Sequence, residues 1–256
     1  MIRARHIVLA LGLWLAALPA GAEELVAGLS QNYVGINASF DGSEILIFGA
    51  VRRDSPPPDA APLEVVITVS GPLVPVTVRR KERRFGIWVN TDAVVLPGAP
   101  SFYAVSTTGP LAEVLSPTAD IGHRIGLSQA IRPASAENLP EDTPAFTEAL
   151  IRLRAQDMLY QVDEGGVILD RDTLFRTSIR LPANLTEGRY SARIFLTRDG
   201  AIIDQHETAI DVRKVGLERF LFTLAHEQPL VYALLSLAIA MLAGWGASVA
   251  FRYIRA

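Results

Sequence analysis

"GRYSARIFLTRDGAIIDQHETAIDV" (Gly188–Val212) contains two runs of alternating apolar and polar residues, joined by Asp199-Gly200. Alternation places the apolar side chains on one face of a strand, and Asp-Gly between two such runs is a strong signal for a β-hairpin. The stretch therefore predicts antiparallel strands from Gly188 to Leu196 and from Ile202 to Val212. A Gly-x-Tyr entry and a last strand that leads towards an apolar segment are typical of immunoglobulin-like or fibronectin-like sandwiches.

The sequence before this hairpin carries further strand signals, separated by turn residues such as Asp41-Gly42 and Gly71-Pro72. Short strands at such spacing are typical of a β-sandwich. The predicted strands are Val34–Phe40, Ile45–Phe48, Leu63–Val69, Val74–Val78, Phe85–Val89, Phe102–Val105 and Leu174–Leu181. We therefore expect a mainly β fold made of one or two Ig-like modules.

A helical segment interrupts the strands. Thr143-Pro144 is a typical helix start, and apolar residues then recur at helical spacing as far as Tyr160. This pattern predicts a helical insertion over residues 120–165, after a first β region over 23–119. Asp157 falls within the apolar stripe, and we interpret it as a salt-bridged or solvated carboxylate, because no partner for acid–base chemistry is visible.

The N-terminus has the pattern of a secretory signal peptide over residues 1–22. Arg3 and Arg5 precede an apolar run from Ile7 to Leu18, and Ala20-Gly21-Ala22 matches a cleavage site. Cleavage between Ala22 and Glu23 would export the following residues. An uncleaved anchor or a buried N-terminal helix is the alternative.

A second apolar segment, Pro229 to Phe251, contains no charged residue. As a helix it would be about 34 Å long, which is enough to cross a bilayer. Arg252 and Arg255 lie in the tail 252–256 and agree with a cytoplasmic C-terminus. These observations predict a bacterial inner-membrane protein whose strands over 166–214 complete a periplasmic domain. A juxtamembrane helix over 215–228 would then precede the span over 229–251.

The composition limits the chemistry of the protein. There is no cysteine, which excludes disulfides and thiolate catalysis. The net charge of −3 gives no general preference for polyanions such as nucleic acids. Asp120-x-x-His123 lacks a third metal ligand, and the chain carries no nucleotide-binding or hydrolase motif. We therefore predict no enzymatic activity, no catalytic or metal-binding residues and no cofactor.

The segment "RRKERRFGIWVN" (Arg79–Asn90) is the first candidate contact surface. Alternating residues on both sides predict a hairpin with its tip around Lys81-Glu82. Two interpretations stay open: a solvated charged turn, or a contact with lipid phosphates, an anion or an acidic partner. The candidate contact residues are Arg79, Arg80, Lys81, Arg83, Arg84 and Trp88.

The apolar segment carries the second candidate surface, a row of small residues on one side of the helix. Such rows allow close helix–helix packing in lipid, although small residues are also common in membrane helices. The candidate packing face consists of Ser236, Ala240, Ala243, Gly244 and Ala247. The predicted partner is a second copy of the chain or a polytopic membrane protein.

Several stretches resemble the uncharacterised transmembrane protein family of alphaproteobacteria: "VGINASFDGSEILIFGAV", "VTVRRKERRFGIWVN", "SFYAVST", "LFRTSIRLPANLTEGRYSARIFL" and "KVGLERFLFTLAHEQPLVYALL". The resemblance covers nearly all of the mature chain. It implies an exported protein with a single anchor, encoded in many cases near a TauE/SafE-like sulfite-exporter permease. No catalytic residues carry over from the family.

These observations lead to one main hypothesis and two alternatives. The main hypothesis is a non-enzymatic, membrane-anchored periplasmic accessory protein of a membrane complex, with a transporter as the expected partner. The alternatives are a periplasmic module that binds or senses a small anion, and an unrecognised periplasmic enzyme.

Overall fold

The computed structural model describes residues 23–37, 39–53, 61–131 and 143–254, which contain twelve strands and six helices. The strands are β1 (Glu24–Leu29), β2 (Tyr33–Ile36), β3 (Ser43–Arg52), β4 (Glu64–Ser70), β5 (Leu73–Arg84), β6 (Ile87–Pro100), β7 (Tyr103–Thr107), β8 (Tyr160–Glu164), β9 (Ile168–Asp170), β10 (Leu174–Leu181), β11 (Gly188–Arg198) and β12 (Ala201–Lys214). The helices are α1 (Leu111–Val114), α2 (Pro117–His123), α3 (Leu127–Ala130), α4 (Thr143–Gln156), α5 (Leu217–Glu227) and α6 (Pro229–Ile254). The predicted signal peptide, which ends at Ala22, lies outside the described residues.

Two sheets form the body of the protein. One has four strands in the order β1-β3-β10-β9, and the other has six in the order β2-β12-β11-β4-β7-β8. Early and late strands are neighbours in both sheets, since β3 pairs with β10 and β4 pairs with β11. The described strands therefore form one intertwined structure and not two successive modules. The prediction of a mainly β, sandwich-like fold is confirmed, while a specifically Ig-like arrangement stays a prediction.

The two sheets differ in how many of their faces are covered. In β10, buried and exposed residues alternate, as expected for a sheet with one solvated face. In β4 the central residues are all buried. Helices α1 to α3 cover the second face of the six-stranded sheet. The Tyr103 hydroxyl donates to the carbonyl of Ile125 at 2.7 Å, and Arg193 Nη1 donates to the carbonyl of His123 at 2.7 Å.

The hairpin that joins β11 and β12 turns at Asp199-Gly200, as predicted. Both residues have positive φ, 51° and 73°, which is the geometry of the tight type I′ turn. The predicted strand Leu174–Leu181 is found with the same bounds as β10. The predictions of the hairpin turn and of β10 are confirmed. In these segments, the alternation of apolar and polar residues and the turn residues indicate the same strands.

The helical part of the chain differs from the prediction at both ends. Helices begin at Leu111, ahead of the predicted 120, and α4 ends at Gln156. Tyr160 was assigned to the helical stripe, but it begins β8 and lies opposite Tyr103 in a parallel pair. Its hydroxyl donates to the carbonyl of Pro100 at 2.8 Å, so pairing with the sheet outweighs the helical spacing. Asp157 is exposed, in agreement with its interpretation as a solvated carboxylate.

At the C-terminal end, α6 continues to Ile254, beyond the predicted limit at 251. Among the described helices it is the one long and apolar enough to cross a membrane. Gln228 connects it to α5, which matches the predicted juxtamembrane helix. Only Val215 and Gly216 separate α5 from β12, so the β domain is joined to the apolar helix by a short connection.

Candidate membrane and partner interface

Strands β5 and β6 form a long hairpin that belongs to neither large sheet, and we call Leu73–Pro100 the arm. Its base packs on the body, where Val78, Val94 and Leu96 are buried. Helix α4 supports it, since the Arg80 guanidinium lies 4.9 Å from the centre of the Phe146 ring. Beyond Arg80 the arm is exposed apart from half-buried Val89 and Thr91.

The turn of the arm is Phe85-Gly86, so the predicted tip at Lys81-Glu82 was wrong. Phe85 has φ 51° and Gly86 has φ 86°, again the combination of a two-residue type I′ turn. Arg84 pairs with Ile87 across the turn, and Arg83 pairs with Trp88. Gly86 fixes the turn because it adopts positive φ without steric cost. The charged residues are therefore part of β5 and not of the loop.

One face of the arm, which we call the body face, carries cations that have acidic neighbours. It begins at the buried Val78, and Arg80, Glu82 and Arg84 follow at two-residue steps. Arg80 lies 3.5 Å from the Asp92 carboxylate, and Arg84 lies 3.3 Å from the Glu82 carboxylate. Since these pairs are solvent-exposed, each contributes little stability. The positive charge of this face is nevertheless largely neutralised.

The opposite face, which we call the free face, carries Arg79, Lys81 and Arg83, together with Trp88 opposite Arg83. Within the described residues, none of these three cations forms an ion pair with a carboxylate. Residues at every second position of a strand point to the same side. The free face is therefore an uncompensated row of cations that ends at an indole ring.

The tip of the arm is apolar. Phe85 is 106% exposed, Ile87 65% and Trp88 68%. Phe85 lies in the turn itself, and Ile87 and Trp88, the first two residues of β6, lie on opposite faces of the hairpin. The end of the arm thus presents three large apolar side chains to the surroundings.

The arm leaves the body at the same end of the six-stranded sheet as the connection to α6. Ser70, the last residue of β4, lies opposite Ser191, near the start of β11. Gly188 packs so closely on Pro72 that a Cβ would come within 2.9 Å of the Pro72 ring. Gly188 in turn pairs with Val212, two residues before the end of β12. The root of the arm and the exit towards α6 are therefore close together.

The candidate packing face of α6 is open. Its members Ser236, Ala240, Ala243, Gly244 and Ala247 are all exposed. Apart from the neighbouring backbone of the helix, a Cβ added at Gly244 or at Gly246 would meet no atom within 4 Å. Ser236 donates its hydroxyl to the carbonyl of Tyr232 at 2.8 Å, so its polar group is satisfied within the helix. Another helix could approach this side of α6 closely.

The residues considered for metal binding have structural roles. The Asp120 carboxylate accepts hydrogen bonds from the backbone N–H groups of Ile125 and Gly126, at 3.2 Å and 2.5 Å. The His123 ring meets the Phe195 ring edge-on at 5.8 Å. Within the described ranges, no three His, Asp or Glu side chains are grouped to hold a metal ion.

Among the described residues, the surface of the body has two clefts that no cation of the arm lines. One, of about 690 Å³, lies between residues 41–44, 156–158 and 180–184. The other, of about 350 Å³, contains Arg193 and Arg124. The Arg193 guanidinium there donates to the carbonyls of His123 and Arg124, at 2.7 Å and 3.1 Å. The cations of the arm line neither of these two clefts. The hypothesis of a small-anion module therefore stays a prediction.

Sequence reasoning missed a charged cluster at the start of the described chain. Glu23 Oε1 accepts from Arg53 Nε at 2.8 Å and from Arg198 Nη2 at 2.9 Å. The Glu23 side chain is only 13% exposed, and those of the two arginines are 17% and 20% exposed. The partners are 30 and 175 positions away in sequence, so no local pattern signals the cluster. These ion pairs hold the start of β1 against β3 and β11, immediately after the predicted cleavage site.

The intertwined sheets and the exposed apolar helix define a membrane protein with a mainly β domain and one candidate C-terminal span. The chain belongs to the family described as "Putative transmembrane protein (Alph_Pro_TM)", whose model matches residues 24–253. This confirms the family that the sequence resembles. Among curated proteins, none matches the chain. The link to sulfite-exporter permeases stays a prediction.

Proposed function

We propose that the protein is a non-enzymatic accessory subunit of a complex in the bacterial inner membrane, held to a polytopic membrane protein by α6. The observation that supports this most directly is the open row of small residues from Ser236 to Ala247. In lipid, where burial of apolar surface gives no driving force, close packing of small residues is a main source of helix association. The row has no partner within the described part of this chain.

The short connection to α6 supports a position of the β domain at the membrane surface. Val215 and Gly216 join β12 to α5, and Gln228 joins α5 to α6. A domain held so closely stays at the membrane surface and covers the periplasmic side of the partner. The arginines at 252 and 255 support this orientation by the positive-inside rule. A transporter, and through the family resemblance a sulfite-exporter-type permease, is the first partner to test.

Cross-linking in native membranes, followed by purification in mild detergent, tests the proposal. The variant Gly244→Leu with Ala240→Leu places two large side chains on the packing face, whereas Ala238→Leu places one on the opposite side of the helix. We expect the wild type and Ala238→Leu to retain a polytopic protein and the double variant to lose it. Because a Cβ at Gly244 meets no atom within 4 Å apart from the neighbouring backbone of its own helix, the substitution should leave the protein itself folded.

Three results would overturn the proposal. The first is purification of the wild-type protein alone as a monomer, and the second is retention of the partner by the double variant. The third is cross-linking only to a second copy of this chain, which would assign the face to a homodimer.

A further inference from the structure

The tip of the arm combines exposure with backbone strain. Phe85 is fully exposed and has φ 51°, a region that bulky residues rarely occupy. Asn at this position of a type I′ turn would form the turn more readily. Phe85 makes no packing contact that offsets this, since its whole side chain faces outward. A strained, exposed aromatic residue at a tip indicates a contact outside the protein.

The charge of the arm points to an anionic contact. The arm carries five cations and two carboxylates, Glu82 and Asp92, although the whole chain has a net charge of −3. Both carboxylates lie beside cations of the body face. The remaining positive charge is concentrated on the free face, on Arg79, Lys81 and Arg83. Rows of Lys and Arg next to a membrane attract anionic lipids.

The order of residue types along the free face matches a bilayer interface. Trp side chains favour the headgroup level of a membrane, where an amphipathic ring contacts both apolar and polar groups. Long cationic side chains place their charged ends among headgroups while their stems contact apolar surface. In the arm, the apolar side chains form the end, Trp88 follows, and the cations come next. An acidic protein partner would require no such sequence of apolar tip, indole and cations.

The arm is long enough to reach the bilayer. From Leu73 to Arg84 it extends about 36 Å at roughly 3.3 Å per residue. The connection from Lys214 to Pro229 spans at most about 32 Å, taking roughly 3.4 Å per extended and 1.5 Å per helical residue. Since the arm and this connection leave the body at the same end, an arm of about 36 Å matches the greatest separation of about 32 Å that the connection allows between the body and the start of α6.

We propose that the arm is a second membrane contact that inserts its tip into the surface of an anionic phospholipid bilayer. Phe85, Ile87 and Trp88 enter the headgroup region, and Arg79, Lys81 and Arg83 bind lipid phosphates. The contact orients the β domain on the membrane, because it adds a second point of attachment to the one that α6 provides. This inference goes beyond the proposed function and does not depend on it, because it requires no protein partner.

Fluorescence of Trp88 tests the contact in the full chain reconstituted alone into nanodiscs. The chain has three tryptophans, so Trp14→Phe and Trp245→Phe leave Trp88 as the single reporter. We expect lipids brominated near the top of the acyl chains to quench Trp88 in discs that contain phosphatidylglycerol. Discs of phosphatidylcholine alone should give at least three-fold less quenching, and raising the salt concentration should also reduce it.

A charge-matched pair of variants identifies the surface responsible. Lys81→Glu with Arg83→Glu reverses the free face, and Arg176→Glu with Arg180→Glu makes the same charge change on the exposed face of β10. We expect the first pair to abolish the quenching and the second to preserve it. If the first variant does not fold, the comparison of lipid compositions and salt in the parent protein still decides the question.

Equal, solvent-like Trp88 emission in both kinds of disc would overturn the proposal. So would quenching that is independent of lipid charge and of the free face. Protection of Trp88 in native membranes but not in purified discs would assign the arm to a protein partner instead.

Discussion

Arg83 lies directly opposite Trp88 on the free face of the arm, one pair away from the Phe85-Gly86 turn. In a hairpin with a two-residue turn, the pair next to the turn exchanges hydrogen bonds, and the following pair brings its side chains closer together. A cation and an indole ring are thus neighbours at the end of the arm. The register that places them together depends on the turn, so a change in the turn should affect both stability and membrane contact.

Phe85→Asn should separate these two effects. Asn tolerates positive φ, and Asn-Gly is the preferred sequence for a type I′ turn, so the free energy of unfolding should rise by about 1 kcal/mol. Membrane insertion of the tip should weaken at the same time because an apolar side chain is lost. Thermal unfolding followed by circular dichroism measures the first effect, and Trp88 quenching in anionic nanodiscs measures the second.

Phe85→Leu is the matched control for this prediction. Leu keeps an apolar side chain and is equally unsuited to positive φ, so both stability and insertion should stay close to the wild type. A Phe85→Asn protein that is less stable than the wild type would show that Phe85 has an intramolecular role, which its full exposure argues against.

The arm also shows why the sequence predicted some elements better than others. β10 was predicted to the residue because its inward and outward positions alternate between apolar and polar types. The outer half of β5 is exposed on both faces, so its residues Arg79 to Arg84 show no alternation and resemble a loop. The sequence consequently predicts the turn four residues too early, at Lys81-Glu82 instead of Phe85-Gly86. The signal that could have corrected this is Gly86, the one residue of the segment that readily adopts positive φ.

Other features could not be predicted from local sequence. Tyr160 fits a helical stripe, but its pairing with Tyr103 in a parallel strand depends on residues far away in the chain. The ion pairs of Glu23 likewise depend on how β1, β3 and the β11 hairpin come together. The small-residue row of α6 was visible because a membrane helix has a fixed period, but its partner is not encoded in the chain itself.

Glu23→Ala should destabilise the folded protein by about 1–3 kcal/mol, since Arg53 and Arg198 then lose a largely buried charged acceptor. The neighbouring Glu24→Ala is the matched control. Glu24 pairs with Arg52, and both side chains are more than half exposed, so this change should cost at most about 1 kcal/mol. Thermal unfolding of the two full-length variants in the same detergent provides the comparison. Equal losses for both variants would contradict a structural role for the Glu23 cluster.

Gly49→Ala should be strongly destabilising for a steric reason. Gly49 lies in β3 between β1 and β10, opposite Ala27 and Phe175. A Cβ at this position would be 2.4 Å from both the Val26 carbonyl oxygen and the Phe175 ring. The overpacking should lower the free energy of unfolding by about 1–3 kcal/mol. Gly246→Ala, whose Cβ meets no atom within 4 Å apart from the neighbouring backbone of its own helix, should leave the unfolding temperature unchanged. A similar loss there would refute the steric explanation.

Two buried tyrosines should make the protein sensitive to alkaline pH. Burial raises the pKa of Tyr103 to about 12, and burial likewise raises the pKa of Tyr160 to about 12. An unfolded tyrosine ionises near pH 10, so between about pH 10 and 12 the unfolded chain binds fewer protons than the folded one. The stability that these groups contribute is therefore complete below about pH 10 and is lost as the pH rises towards 12.

The double variant Tyr103→Phe and Tyr160→Phe should show a weaker fall in stability over this alkaline range than the wild type. At neutral pH it should be less stable than the wild type, because the hydrogen bonds from Tyr103 to Ile125 and from Tyr160 to Pro100 are lost. Tyr33→Phe controls for general alkaline effects, since Tyr33 is exposed and its removal should leave the pH profile unchanged. Denaturant unfolding at a series of pH values from 8 to 12 measures these slopes. Parallel profiles for the double variant and the wild type would show that these two hydroxyls do not control alkaline stability.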